Sequence, residues 1–224
     1  MHRAPGAREG AEGLRALALA VSLAALAACQ RRAPELRGEL AGAWLRDPER
    51  ASGFELRTDG TLALLGQPAL SGLAWNAAHG ELVLSLNDAD HVESHVVRLA
   101  LAKLDGDALQ LEGDDARFAG AYRRARAEHV RGVLTYRERV ALPPDAHVLV
   151  ELSRAGALPV ALAVFVPHGQ VPIGFELSVP APAEASYSLV ARIGDRERTW
   201  FATPEPVSMA PGDEAAEVLL RPAR

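Results

Sequence analysis

The chain has 224 residues, 49 % of them hydrophobic and 24 % charged, with a formal net charge of −5. That apolar share is too high for a disordered polymer, and the acidic balance excludes a non-specific nucleic-acid binder, which needs a basic surface against phosphate. A single cysteine excludes an intramolecular disulfide framework and any cysteine-cluster metal site, and aromatics at 5 % leave the core mainly to Leu, Val and Ala.

Residues 1–28 begin with Arg3, Arg8 and Arg15 and run into an apolar segment from Ala16 to Ala28 broken by Ser22. A basic start before a short apolar run is the pattern of a secretory signal. The 13 residues of the run fall short of the ~20 that a membrane-spanning helix needs. The run ends in Leu26-Ala27-Ala28-Cys29, which resembles the lipobox of bacterial lipoproteins. That resemblance implies that the Cys29 thiol takes a diacylglycerol group and that cleavage frees its amine for a further acyl chain. Two chains anchor stably where one holds weakly. Residues 29–37 are then a polar tether, and the one expected prosthetic group is the covalent lipid. Gln30 stands where Asp retains such proteins at the inner membrane of enterobacteria. The expected address is therefore the periplasmic face of the outer membrane, in preference to the inner one.

From residue 38 to 124 the pattern is period-two alternation, the mark of half-buried strands. Leu40, Gly42 and Trp44 share a face; Phe54 and Leu56 point one way while Glu55 and Arg57 point the other. Thr58-Asp59-Gly60 reads as a turn, and Leu62 and Leu64 continue the inner set. Leu82, Leu84 and Leu86 form the next strand, a long strand runs from about His91 to Leu101, and Asp105-Gly106 marks a hairpin. Leu109, Leu111, Phe118 and Tyr122 complete about eight strands, which bury one face and remove their edges most simply as a small antiparallel barrel.

The polar run at 123–131 breaks the alternation and reads as a linker, placed at 125–130, with a solvated helical turn as the other reading. Beyond it, over 131–222, strands are expected at 131–137, 147–153, 160–166, 171–178, 187–193, 198–203 and 215–221. They are separated by Leu142-Pro143-Pro144-Asp145, Val179-Pro180-Ala181-Pro182 and Pro204-Glu205-Pro206. Seven short strands with proline-rich turns describe a β-sandwich. The chain is thus expected to be all-β, a barrel followed by a seven-stranded sandwich.

Gly42-Ala43-Trp44, Gly53-Phe54-Glu55-Leu56-Arg57-Thr58-Asp59-Gly60-Thr61, Trp75 and Ala121-Tyr122-Arg123 resemble small lipocalin-like domains of bacterial lipoproteins over 38–124. Gly132-Val133-Leu134-Thr135-Tyr136 through Leu142-Pro143-Pro144-Asp145-Ala146, Val148-Leu149-Val150-Glu151-Leu152, Gly169 to Leu177 and Val190-Ala191-Arg192-Ile193 resemble the YbaY/YscW-type lipoprotein family. This likeness spans most of 130–208. It departs from the family pattern in a short stretch after Leu152, in Gly174 where Pro is usual, and in an abbreviated 179–186. The resemblance implies an anchored, non-enzymatic protein, one branch of which guides outer-membrane secretin assembly.

His91, Glu93 and His95 alternate on one strand and would project from one face as two imidazoles and a carboxylate, a three-ligand zinc set. The preferred reading is a strand end leaving the core, so no metal is expected. Trp44, Phe54, Trp75 and Leu84 are the candidate floor of a ligand cavity, against the preferred reading of a barrel filled by its own side chains. Asp105, Asp107, Asp114 and Asp115 lack calcium-loop spacing and fit hairpin turns. Tyr136-Arg137-Glu138-Arg139 is either an exposed strand end with cross-strand ion pairs or part of a partner surface. No G-x-S-x-G elbow, P-loop, G-x-G-x-x-G or S-x-x-K is present, so no enzyme is expected. The expected role is a membrane-anchored assembly or interaction factor with an envelope protein partner and no nucleic acid. The alternative is a lipocalin-like carrier of a small apolar ligand.

Overall fold

A computed structural model describes residues 36–47, 52–88, 94–154, 159–184, 186–212 and 216–223. Cys29, the signal segment and most of the tether lie outside these residues. The end of the tether forms part of a single helical turn at 36–40 that buries Leu40 completely.

Eight strands follow: β1 (Gly42–Asp47), β2 (Ser52–Leu56), β3 (Leu62–Leu65), β4 (Leu70–Ala78), β5 (Glu81–Asp88), β6 (Ser94–Asp105), β7 (Ala108–Glu112) and β8 (Gly120–Ala125). They pair antiparallel in the order β3-β2-β1-β8-β7-β6-β5-β4, which curls the sheet into a nearly closed barrel. At the seam, β3 and β4 meet through one bridge, Thr61 to Ala74, and through the Trp75 N–H donating to the Gly60 carbonyl (2.9 Å). Gly72 makes that approach possible, because a Cβ there would sit on the backbone and side chain of Leu62. The expected turn at Thr58-Asp59-Gly60 forms, with Asp59 accepting from the Thr61 N–H (2.8 Å) and hydroxyl (2.7 Å). The inner face is the alternating set read from sequence: Trp44, Phe54, Leu56, Leu82, Leu84, Leu86, Leu99, Leu109, Leu111 and Tyr122 are all buried together.

The second half contains β9 (Ala127–Thr135), β10 (His147–Ser153), β11 (Pro159–Phe165), β12 (Ile173–Pro180), β13 (Tyr187–Gly194), β14 (Thr199–Ala202), β15 (Val207–Met209), β16 (Ala216–Leu219) and β17 (Arg221–Pro222). One sheet runs β11-β10-β13-β14-β17 with β15 on β13; the other is β12-β9-β16, in which β16 lies parallel to β9. Their facing residues form one core that includes Val130, Leu134, Val148, Val150, Leu177, Leu189 and Ile193.

Three expectations are corrected here. Residues 125–130 are not an open linker: Ala125 pairs with Ala43 in the barrel, Ala127 pairs with Pro180 in the sandwich, and only Arg126 stands between. The polar side chains hid a strand whose backbone groups find partners on both sides. The strand expected at 131–137 is β9, shifted toward the N-terminus, so Tyr136 to Arg139 form a loop. The segment at 215–221 divides at Leu220 into β16 and β17, which belong to different sheets, and with β15 the sandwich has nine strands among the described residues.

Candidate functional site

Trp44, Phe54, Trp75 and Leu84 converge in the barrel core, and their polar atoms are bonded within the fold. Trp44 Nε1 donates to the Leu40 carbonyl and Trp75 Nε1 to the Arg57 carbonyl, both at 2.8 Å, while the Phe54 and Tyr122 rings lie 4.8 Å apart. Arg124 covers the Trp44 ring at 4.3 Å and donates to the carbonyls of Ala41 and Glu39, capping that part of the barrel. Burial pushes the Tyr122 phenol up to about 12, and its hydroxyl donates to the Phe118 carbonyl (2.7 Å). His91 and Glu93 lie outside the described residues. His95 opens β6 half-buried, and its Nε2 has no hydrogen-bond partner among the described residues. Among the described residues no group of three His, Cys, Asp or Glu side chains is arranged to hold a metal ion.

The polar chemistry gathers instead where the barrel seam meets the sandwich. Ser71, Asn87 and Ser178 are the buried polar residues of the described fold, and all three lie here. β11 is the edge strand of its sheet, and three of its outer backbone groups are taken up by the barrel. The Val164 N–H donates to Ser71 Oγ (2.9 Å), Asn87 Nδ2 donates to the Val164 carbonyl (3.3 Å), and the Gly66 N–H donates to the Val160 carbonyl (3.0 Å). Such side-chain caps end a sheet where a further strand would extend it. The barrel thus stands against this edge at Val160 and Val164, where an added strand would have to pair. Beside the caps a cleft of about 420 Å³ opens between Leu62 and Ser71 on one wall and Val164, Phe165 and Glu176 on the other.

One side of the cleft carries a charged cluster. From the barrel come Glu55, on β2, and Arg57, just beyond it; from β9 come His129 and Arg131; from β12 come Glu176 and Ser178. Arg57 donates through Nη2 to Ser178 Oγ (2.8 Å) and pairs with Glu176 (2.7 Å), while Ser178 donates to Glu55 Oε2 (2.6 Å). Arg131 holds the other Glu176 oxygen at 2.6 Å, and His129 stands 3.6 Å from Glu55 and 3.4 Å from Glu176. Burial alone would raise the Glu176 carboxyl, but the Arg131 hydrogen bond and the charges of Arg57 and Arg131 outweigh it and hold it below its ordinary value.

Ser178, His129 and Glu55 are the residue types of a hydrolytic triad, but the arrangement is a clamp. Ser178 Oγ donates its proton to Glu55, accepts from Arg57, stands 3.4 Å from His129 Nδ1, and the residue is only 1 % exposed. A nucleophile needs a free hydroxyl facing both a base and the substrate. Sequence reading set Glu55 and Arg57 on the outer barrel face correctly, but the partner for that face comes from over a hundred residues away. The available signal was the matching polar parity of Glu176 and Ser178 against Phe175, Leu177 and Val179.

Comparison with known proteins bears on the second half. Residues 125–220 match the family model described as the type III secretion system lipoprotein chaperone (YscW), a stretch of just under half the chain. Among solved structures the chain is similar to an alternative pilotin from the type II secretion system of Vibrio cholerae. The two are 29 % identical over 44 % of this chain and 99 % of that one, with a TM-score of 0.38. No curated protein matches it.

Proposed function

We propose that this chain is a lipid-anchored, non-catalytic assembly factor of the bacterial envelope. It is held through Cys29 at the periplasmic face of the outer membrane and acts as a chaperone for a secretin. The match of residues 125–220 to the lipoprotein chaperone family carries the reading. The lipobox-like Leu26-Ala27-Ala28-Cys29 supports the anchor. The lipocalin-like and YbaY likenesses support the same address. Two acyl chains at about 0.8 kcal/mol per buried methylene hold a protein stably at a bilayer. The client is then met at the membrane where it must assemble. The committed Ser178 hydroxyl agrees with a binding role rather than a catalytic one.

The test has two arms in cells that carry the chain and its secretion system. Labelled palmitate should mark the parent and not a Cys29→Ala variant. Deleting the chain should cut the yield of detergent-resistant secretin multimers in the outer-membrane fraction and shift the monomer to the inner membrane. Unchanged multimer yield and placement would refute the chaperone role.

A further inference from the structure

The edge strand β11 reads Pro159-Val160-Ala161-Leu162-Ala163-Val164-Phe165, without a charged or polar side chain. Edge strands of monomeric proteins carry a lysine, an inward charge, a bulge or a covering element, which keeps other chains from pairing with them. Here the covering element is the barrel. Val160 to Phe165 are uncharged and free of Pro and Gly, the composition that pairs with copies of itself when left open.

The side chains beside this edge are sticky as well. Val164 pairs with Leu149 on β10, and Leu149, Leu162 and Val164 form an apolar cluster of their own. By strand alternation they lie on the face opposite Val148, Val150 and Ala161, which belong to the sandwich core. The three are nonetheless only 5 %, 5 % and 1 % exposed. Leu162 and Val164 share the cleft with Leu62, Leu64 and Leu73 of the barrel, so it is the barrel that hides them.

That closure is polar rather than packed. The hydrogen bonds at Val160 and Val164 and the Arg57 cluster stand around the open cleft, while each half keeps a core of its own. Leu162 lies between the capped residues with the same outward parity. Its N–H and carbonyl make no hydrogen bond to the barrel among the described residues. Two halves joined in this way move apart more readily than halves that share a large apolar interface.

Val160 and Val164 also stand symmetrically about Leu162. A second β11 laid antiparallel, with Leu162 opposite Leu162, brings Val160 of each copy opposite Val164 of the other, where their outward groups exchange hydrogen bonds. The same two-fold operation sets the two apolar clusters side by side. The edge is therefore complementary to itself, as an isologous contact requires. We propose that β11 is a pairing edge for a second copy of this chain. The barrel occludes it in the monomer and frees it by swinging off the sandwich about the Arg126 crossing. The inference goes beyond the assembly-factor reading and does not depend on it.

The experiment uses the full chain with Cys29→Ala and Leu162→Cys, which leaves one thiol, on the two-fold axis of the dimer. Directly opposed residues of a hydrogen-bonded pair have Cα atoms about 5.5 Å apart, within the range a disulfide spans. With the caps intact the chain is expected to sediment as a monomer and to crosslink slowly. Adding Ser71→Ala and Asn87→Ala frees the barrel. Sedimentation at high micromolar concentration should then show a dimer and no larger species, with disulfide formation about tenfold faster or more. Moving the thiol with Val160→Cys in place of Leu162→Cys should abolish the crosslink, because that register sets position 160 opposite 164. Arg57→Ala loosens the same contact from the charged side and should also speed the Leu162→Cys crosslink, which keeps the test open if the double cap variant fails to fold. A monomer whose Val164 amide exchanges freely overturns the proposal. So does a Val164 amide that stays protected without its caps, a dimer that crosslinks equally from both positions, or a crosslinking rate that Arg57→Ala leaves unchanged.

Discussion

Replacing Ser71 with alanine removes a single oxygen from the barrel seam, yet that oxygen is the acceptor for the outward N–H of Val164 on β11. Ser71 is 2 % exposed and Val164 1 %, so water has no ready path to the stranded amide. Leaving a buried donor unpaired costs about 1–3 kcal/mol, which here falls on the contact between the two halves. Asn87→Ala removes the donor to the Val164 carbonyl and the acceptor of the Ser94 hydroxyl (2.8 Å), a loss of the same order. Both changes act on the backbone of one residue, Val164, so the double variant should lose less than the sum. Urea unfolding reads this directly. With a slope near 2 kcal/mol/M, Ser71→Ala should lower the midpoint by roughly 0.5–1.5 M. Amide exchange at Val164 should speed up selectively, ahead of residues in the sandwich core such as Val150, and the double variant should unfold in two separated steps. An unchanged midpoint together with unchanged Val164 protection would refute the view that the barrel caps this edge.

The remaining predictions probe other parts of the fold. Gly72→Ala should destabilise by about 1–3 kcal/mol, because its methyl meets the Leu62 backbone at the seam, and thermal melts will show it. Tyr122 keeps its proton in the folded state up to about 12, while the unfolded phenol loses it near pH 10. Its contribution is therefore complete below pH ~10 and is lost as pH rises through about 12, so absorbance at alkaline pH should show Tyr122 ionising last and only with unfolding. The Glu176 carboxyl is held low, so its contribution is present above the ordinary glutamate range, near pH ~4.3, and is lost as pH falls through the lowered folded value. Melting temperature should fall more steeply with acid in the parent than in Glu176→Gln; parallel curves would exclude this carboxylate as the source.

The barrel was legible wherever burial follows period two without interruption. Leu82, Leu84 and Leu86 alternate with the less buried Glu81, Val83 and Ser85, so a local pattern names both the strand and its inner face. β4 escaped notice because a bulge between Gly72 and Ala74 shifts its register and breaks the alternation. The segment at 125–130 is mostly polar, yet all of it but Arg126 is half-buried or buried. Ala125 and Ala127 in fact pack against Ala43, Leu45 and Leu65 on the outer barrel wall, and the strand crosses directly between the halves.

The amino-acid order by itself determined most of the barrel strands and the turn at Thr58-Asp59-Gly60, because each of these depends on residues a few positions apart. Tertiary structure alone decided which outward-facing polar groups would meet. Glu55 and Arg57 reach Ser178 and Glu176, and Ser71 reaches Val164, across separations that no local period encodes. It likewise decided which surfaces stayed open. Docking the barrel seam on β11 closes that edge, while a concave surface walled by Val140, Leu142 and Trp200 receives no other part of the described chain and stays exposed to solvent.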